Sequence, residues 1–143
     1  MLAGEVYHQL DAKSRMRMPA RFKEEFDKEY AFRLIRDGVL AVYPADALKE
    51  KFELLKRASM FDDELQDAIS EFKSQFTIVE EDLQGRIMIP KPLRDKARLG
   101  KDIVIYAGSD HVNITSVENR EKDKANVDRK AMMGKLDAFV KSL

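Results

Sequence analysis

The chain has 143 residues, of which 36% are charged, and its 26 basic and 26 acidic side chains give no net charge. It has no cysteine, which excludes a disulfide framework, a thiol nucleophile and a thiolate metal site. The N-terminal sequence lacks the features of a signal peptide, and no apolar stretch approaches the roughly 20 residues that span a bilayer, so a soluble, intracellular protein is expected. Its length fits one domain or two interlocked half-domains.

The first part of the chain predicts strands separated by a turn and a short helix. Asp11–Ser14 reads as the turn, and in the strand that follows it Met16 and Met18 share one face. Pro19 ends that strand and can open a helix at its first position. Asp37-Gly38 is typical of a hairpin turn. The predicted strands are 5–10, 15–18, 31–35 and 39–43, and the predicted helix is 20–26.

Two amphipathic helices are predicted next. The first covers about 45–57, with Leu48, Phe52 and Leu55 on one face. Asp62 can cap the second, whose apolar face carries Leu65, Ala68, Ile69 and Phe72. Packing into the core is the favoured explanation of both apolar faces.

The first pattern then returns. The sequence DAKSRMRMPARF at 11–22 is matched by DLQGRIMIPKPL at 82–93. At one constant offset, Asp11, Arg15 and Pro19 recur as Asp82, Arg86 and Pro90. The repeat predicts strands at 76–80, 86–89, 103–106 and 111–115, a turn at 82–85, and a helix at 90–99 ended by Gly100. Two copies favour a pseudo-two-fold unit over a solenoid.

The C-terminal tail is charged and then places apolar residues at helical spacing. Gly134 interrupts this pattern at a cost of about 1 kcal/mol relative to Ala, so the end of the tail is expected to fray unless it packs on something. The chain thus divides into a first half (1–45), a helical connector (46–75), a second half (76–117) and a charged helical tail (118–143).

Charge is unevenly distributed. Residues 8–23 carry five basic side chains and one acidic, and residues 83–101 carry six and one. Residues 46–75 carry five basic and eight acidic side chains. If the two repeats meet in space, a neutral protein presents a positive face to a polyanion.

The repeated D-x-x-x-R, followed by a strand and a proline, resembles the AbrB-type swapped-hairpin DNA-binding module. Two such copies joined by helices, together with Gly4–His8 and D-A-K-S-R, resemble the MraZ family over roughly residues 1–117. The resemblance implies an α+β fold, a pseudo-two-fold, double-split swapped-hairpin β-barrel with peripheral helices.

The resemblance also implies a function. Members of the family are bacterial transcriptional regulators, usually repressors, that assemble as rings. They bind repeated boxes in double-stranded DNA upstream of the division and cell-wall gene cluster. A cytoplasmic, nucleoid-associated protein with no cofactor, metal, membrane or small-molecule substrate is expected.

The D-x-x-x-R motif of each copy lies on the DNA-facing surface in this family. Arginine suits phosphates and guanine edges because its planar fork donates hydrogen bonds in pairs. We therefore expect Arg15 and Arg86 to contact DNA, while Asp11 and Asp82 orient the loops. The alternative is that both arginines merely pair with the acidic helices.

The two copies are not identical. Lys13 and Arg17 would add phosphate contacts in the first copy, whereas their counterparts Gln84 and Met88 are uncharged. The family pattern has glycine before the arginine; Gly85 fits it, but the first copy has Ser14. If this position needs a positive φ, Ser14 is strained by about 1 kcal/mol.

Other classes of function are less well supported. His8 and His111 are isolated, and Asp11 and Asp82 each precede an arginine, which favours an ion pair over proton transfer. An AbrB-like antitoxin with a toxin-binding tail, and an assembly scaffold that uses 45–75 and 123–143, remain open alternatives. A membrane-surface role for the tail is weaker, because its charges cancel.

Overall fold

The computed structural model describes all 143 residues, as eight strands and six helices. The strands are β1 (Glu5–Gln9), β2 (Arg15–Met16), β3 (Glu29–Arg36), β4 (Val39–Pro44), β5 (Thr77–Glu80), β6 (Ile87–Met88), β7 (Asp102–Ala107) and β8 (Val112–Ser116). The helices are α1 (Ala20–Lys23), α2 (Ala45–Leu55), α3 (Asp63–Ser74), α4 (Lys91–Lys96), α5 (Val117–Asn126) and α6 (Arg129–Lys141). None of these helices has the length and apolar character needed to cross a membrane.

The strands exchange partners between the two sequence repeats. Six of them form one antiparallel sheet in the order β1-β7-β8-β4-β3-β5, and β2 pairs with β6 in a separate two-stranded ribbon. The first strand of each half therefore pairs with the other half: Val6 lies opposite Ile105, and Val79 lies opposite Tyr30. If each strand is replaced by its counterpart in the other half, the sheet has the same strand order read from the opposite edge. This is the pseudo-two-fold relation predicted from the repeat.

The α+β class is confirmed, but the hydrogen-bonded strands do not close into one barrel. The six-stranded sheet is open, and the ribbon is a second, separate sheet. Buried residues of the ribbon and the sheet nevertheless belong to one hydrophobic cluster. Met16 and Met18 are buried there beside Ile87 and Ile89, as the alternation of each repeat predicts.

The short helices α1 and α4 each follow a proline that caps rather than opens the helix. Pro19 and Pro90 have extended backbone conformations just before the first helical residue, so α4 starts one position later than predicted, whereas α1 starts at Ala20 as predicted. The predicted stop at Gly100 is also wrong. The left-handed residue that ends α4 is Arg98 (φ 52°), where the N–H of Leu99 returns to the carbonyl of Arg94 at 2.9 Å.

The two connector helices pack differently. α2 lies against β3 and β4, but α3 does not pack into the core as predicted. Asp62 does cap α3, since its carboxylate accepts a hydrogen bond from the N–H of Leu65 at 3.1 Å. However, α2 buries only Leu48 and α3 buries no residue. Only Phe72 of α3 makes aromatic contacts, with its ring 6.1 Å from that of Phe52. An amphipathic pattern predicts the helix but does not specify what covers its apolar face.

The tail forms two helices. The carboxylate of Asp128 caps α6, which continues through Gly134 without a break. No residue of α6 is buried.

Candidate nucleic-acid interface

The loop between β1 and β2 is built around the Asp11 carboxylate. One of its oxygens accepts hydrogen bonds from the backbone N–H of Lys13 (2.8 Å) and of Arg15 (2.9 Å). The other accepts from Nε of the Arg15 side chain at 2.8 Å. One acidic side chain therefore holds both the turn and the arginine that follows it.

The loop between β5 and β6 repeats this arrangement. The Asp82 carboxylate accepts from the backbone N–H of Gln84 and of Arg86, both at 2.9 Å, and from Arg86 Nε at 2.8 Å. In each loop the residue before the arginine has a positive φ, 59° at Ser14 and 75° at Gly85. The four positions predicted to shape the loops thus have equivalent geometry in the two copies.

The two loops lie side by side because β2 pairs with β6. Arg15 lies opposite Met88 in the ribbon. The N–H of Ile89 donates to the carbonyl of Ser14 at 3.2 Å, and Arg17 Nε donates to the carbonyl of Gln84 at 3.0 Å. Each loop is therefore attached to the strand that follows the other loop.

Both motif arginines are oriented and partly exposed. The side chains of Arg15 and Arg86 are each 24% exposed. Each uses Nε to bind its aspartate, and neither Nη atom makes a hydrogen bond within the chain. The outer edge of each guanidinium thus has donors available for a phosphate or a guanine edge.

The aspartates remain ionised at neutral pH. The hydrogen bonds that Asp11 accepts from the backbone and side chain of Arg15 lower the pKa of its carboxyl. The equivalent bonds from Arg86 lower the pKa of Asp82. A lowered pKa suits a fixed carboxylate that orients an arginine and opposes a role in proton transfer.

The two arginines line the same groove, of about 770 Å³. Its cationic side chains are Arg15, Arg17, Arg86 and Lys101, against a single acidic one, Asp11. Lys101 was not among the predicted site residues. It lies in this groove because the backbone N–H of Leu10 bonds to its carbonyl at 2.9 Å, where the first strand meets the second half. The swapped-hairpin resemblance was the signal that could have identified it, because such a swap pairs strands of the two halves.

The exposed positions of the two loops differ in charge. Lys13 and Arg17 are exposed in the first copy. In the second copy the exposed side chains are Gln84, Met88 and Leu83, the last of which is fully exposed. The exposed surface of the first loop is therefore basic, and that of the second is largely uncharged.

A further polar cluster surrounds His111. His111 is held between the side chains of Asp110 (2.9 Å) and Asn113 (3.1 Å) and packs on the ring of Tyr43. No group of three or more histidine, aspartate or glutamate side chains is placed to hold a metal ion.

The chain matches a family of known proteins over its second half. The family's model, described as "MraZ protein, putative antitoxin-like", matches residues 74–127. This range covers the second loop, the strands after it and α5.

Similarity over most of the chain extends to curated relatives named "Transcriptional regulator MraZ". The relative from Moorella thermoacetica is 35% identical over 116 residues, 81% of each chain. The one from Desulforamulus reducens is 34% identical over 136 residues, 95% of this chain and 94% of its own. The one from Caldanaerobacter subterraneus is 33% identical over 128 residues, 90% of each chain.

Proposed function

Because this chain belongs to the MraZ family, we propose that it is a transcriptional regulator that binds double-stranded DNA through its paired Asp–Arg loops. Arg15 and Arg86 contact the DNA, and Asp11 and Asp82 hold them in position. The curated relatives carry the name of transcriptional regulators, which supports the general function; the loop geometry supports the residue roles.

The observation that carries this proposal is that the arginines of two equivalent Asp–Arg arrangements line one basic groove. An arginine whose Nε is already bound cannot swing freely, so its Nη atoms are presented with little further loss of conformational freedom. Lys13, Arg17 and Lys101 would add phosphate contacts on one side. Such contacts give affinity without sequence preference, whereas the oriented arginines can read bases.

We further propose that the ribbon and the open sheet act as one swapped-hairpin barrel and that several chains form a ring. The ring would bind repeated boxes upstream of the division and cell-wall gene cluster and repress it, in the cytoplasm at the nucleoid. A single groove offers few contacts and would lose affinity steeply with salt. A ring that engages adjacent boxes converts later contacts into intramolecular ones.

Gel-shift titrations at near-physiological salt test the proposal. The probes are DNA from upstream of the protein's own gene, with one, two or three copies of the bound box, and a scrambled duplex of equal length. We expect specific binding whose affinity rises with the number of boxes. Equal affinity for all three probes would reject multivalent binding, and equal affinity for the scrambled duplex would reject sequence-specific regulation.

The antitoxin alternative has one observation in its favour, the antitoxin-like description of the family that matches residues 74–127. The exposed helix α6 is the segment that would cover a toxin. Affinity purification of the full chain at native expression level distinguishes the two functions. A stoichiometric small basic partner, lost when α6 is removed, would favour the antitoxin.

A further inference from the structure

The corner between the sheet and the helices α5 and α6 contains a cavity of about 370 Å³. We propose that this cavity binds a small phosphate monoester, a dianion whose organic part is apolar or aromatic. The cavity shares no lining residue with the groove of the Asp–Arg loops. It is therefore a second site, and its ligand binding does not depend on the DNA binding proposed above.

Positive charge dominates the lining of this cavity. Its cationic side chains come from β3, α5 and α6 and are Arg36, Arg120, Lys124 and Arg129. Asp123 is the only acidic residue in the lining, and Glu5 pairs with two of the cations. Four positive charges thus accompany two negative ones. This excess matches the charge of a phosphate monoester, whose second pKa is about 6.

The side chain of Arg120 is held in place but keeps its outer donors. Its Nε donates to Glu5 at 3.0 Å, and its guanidinium lies 3.7 Å from the centre of the Tyr106 ring. The hydrogen bond from Arg120 lowers the pKa of Glu5, so the carboxylate that holds the arginine is ionised at neutral pH. Neither Nη atom of Arg120 makes a hydrogen bond within the chain. A guanidinium fixed in this way can bind an anion with little further loss of conformational freedom.

Two further arginines of the lining have donors available. Arg36 donates to the Asp123 carboxylate through Nη2 at 3.1 Å, which leaves its Nε and Nη1 without a partner. Arg129, the first residue of α6, makes no side-chain hydrogen bond or ion pair within the chain. Three guanidiniums from separate elements therefore supply unbonded N–H groups to one cavity. Arginine suits a phosphate because its planar fork donates hydrogen bonds in pairs.

The lining also includes apolar side chains. Val127 and Met132 are 42% and 49% exposed, and Tyr106 contributes an aromatic ring. The volume lies at the lower end of the range for small-molecule pockets and exceeds what a bare phosphate ion fills. An organic group placed against these residues would remove apolar surface from water. Charged donors and apolar surface together therefore favour an organic phosphate over the inorganic ion.

The corresponding corner of the first half is packed with aromatic rings instead of charges. At the offset of the repeat, Asp123 corresponds to Phe52. Glu5 corresponds to Phe76, and the ring centres of the two phenylalanines lie 5.5 Å apart. Phe72 of α3 packs on both of them. A charged cluster is thus not required to attach helices to this sheet, and its partial burial costs solvation energy, which indicates a binding role.

Isothermal titration calorimetry of the full chain, in a buffer free of phosphate and sulfate, tests the site. The probes are phenyl phosphate, inorganic phosphate and benzenesulfonate. We expect one molecule of phenyl phosphate to bind per chain. Its ring should make it bind about 5-fold more tightly than inorganic phosphate. It should also bind more tightly than benzenesulfonate, which has the same ring but only one negative charge.

Single substitutions locate the ligand. Arg129→Gln breaks no contact within the chain, so it should keep the wild-type melting temperature and weaken phenyl phosphate binding by about 10-fold. Arg120→Lys keeps the charge but loses the planar fork, and it should weaken binding by a similar factor. Asp123→Asn removes the only acidic residue of the lining and should tighten binding by about 3-fold. The matched control is Arg57→Gln, at an exposed position just after α2, which should bind as the wild type does.

The groove lined by Arg15 and Arg86 is also cationic, so Arg15→Ala/Arg86→Ala is titrated as well. This variant should bind phenyl phosphate as tightly as the wild type. Absence of binding at millimolar phenyl phosphate, equal affinity for either of the other two probes, wild-type affinity in Arg129→Gln, or loss of binding in Arg15→Ala/Arg86→Ala would overturn the proposal. Gel shifts with DNA are measured independently of these titrations, so failure of this site is distinct from failure of the proposed function.

Discussion

The loops of the two halves have the same backbone geometry but different exposed side chains. In both, an aspartate accepts from two backbone N–H groups and from the Nε of an arginine, at distances that agree within about 0.1 Å. The exposed side chains around this frame are Lys13 and Arg17 in one copy and Leu83, Gln84 and Met88 in the other.

The comparison separates two tasks. The Asp–Arg pair fixes the loop and presents the arginine, so it is the same in both copies. The outer positions set how strongly each side attracts a polyanion, and they differ between the copies, although Arg17 also bonds to the Gln84 carbonyl of the second loop. A change to the shared frame should therefore affect both halves alike, whereas a change to the outer positions should affect them unequally.

The largest effect is expected from the shared arginines. Each well-oriented arginine contact is worth about 1–3 kcal/mol, so Arg15→Ala and Arg86→Ala should each weaken specific binding by about 5- to 140-fold. The loss should be similar for the two variants in fluorescence-anisotropy titrations. Lys49→Ala on the exposed side of α2 is the control. Full affinity in both arginine variants would show that the frame does not present DNA contacts.

A smaller, one-sided effect is expected from the outer positions. Lys13→Gln/Arg17→Met makes the first loop resemble the second and removes two phosphate contacts. The slope of log K against log salt should become less steep by about 2, with a modest loss of affinity at physiological salt. Gln84→Lys/Met88→Arg should steepen the slope. An unchanged slope in both variants would mean that DNA does not lie along these positions.

Acid should weaken both loops together. Since folding lowers the pKa of Asp11 and Asp82, their contribution to the free energy of unfolding is present above the unfolded carboxyl pKa of about 3.9. It is lost as the pH falls through the lower pKa of the folded state. Asp11→Asn and Asp82→Asn should therefore lower the melting temperature at pH 7 and reduce its further fall below pH 4. If the melting temperature of both variants fell below pH 4 by as much as that of the wild type, this role would be contradicted.

The smallest effect is expected at the one backbone position where the copies differ. Ser14 has a φ of 59°, which costs a non-glycine residue about 1 kcal/mol. Ser14→Gly should therefore leave the melting temperature unchanged or raise it, by about 2–4 °C at most, and Gly85→Ser should lower it by a similar amount. A clear loss of stability in Ser14→Gly, measured by calorimetry, would mean that the serine makes an unrecognised compensating contact.

Local pattern predicted much of the fold. Alternation placed Met16, Met18, Ile87 and Ile89 in the core, and the repeat predicted the pseudo-two-fold relation. Asp37-Gly38 predicted the hairpin, where Gly38 has a φ of 78°. The buried faces and the hairpin depend on residues close together in sequence, and the repeat can be recognised by comparing its two copies, so the sequence specifies these features directly.

The wrong and missing predictions concern contacts between residues that are distant in sequence. Helical periodicity was interpreted as core packing for α3, but an apolar face looks the same whether it meets the core or another chain. Lys101 was not predicted as a groove residue, because its position depends on the pairing of β1 with β7. The end of α4 at Arg98 was missed because glycine is only the commonest left-handed residue, and Arg98 also bonds to Asp37 at 2.6 Å.

The exchange of first strands between halves has a consequence for synthesis of the chain. Residues 5–9 leave the ribosome early. Their hydrogen-bonding partners, residues 102–107, form β7, which is followed by only one more strand, β8. In the nascent first half, β1 therefore has no strand to pair with until β7 is made. Contacts between residues so far apart in sequence also form slowly. A ribosome-bound fragment that ends before β7 should remain protease-sensitive at its N-terminus. Residues 5–9 should become protected from protease only when the second half has been synthesised.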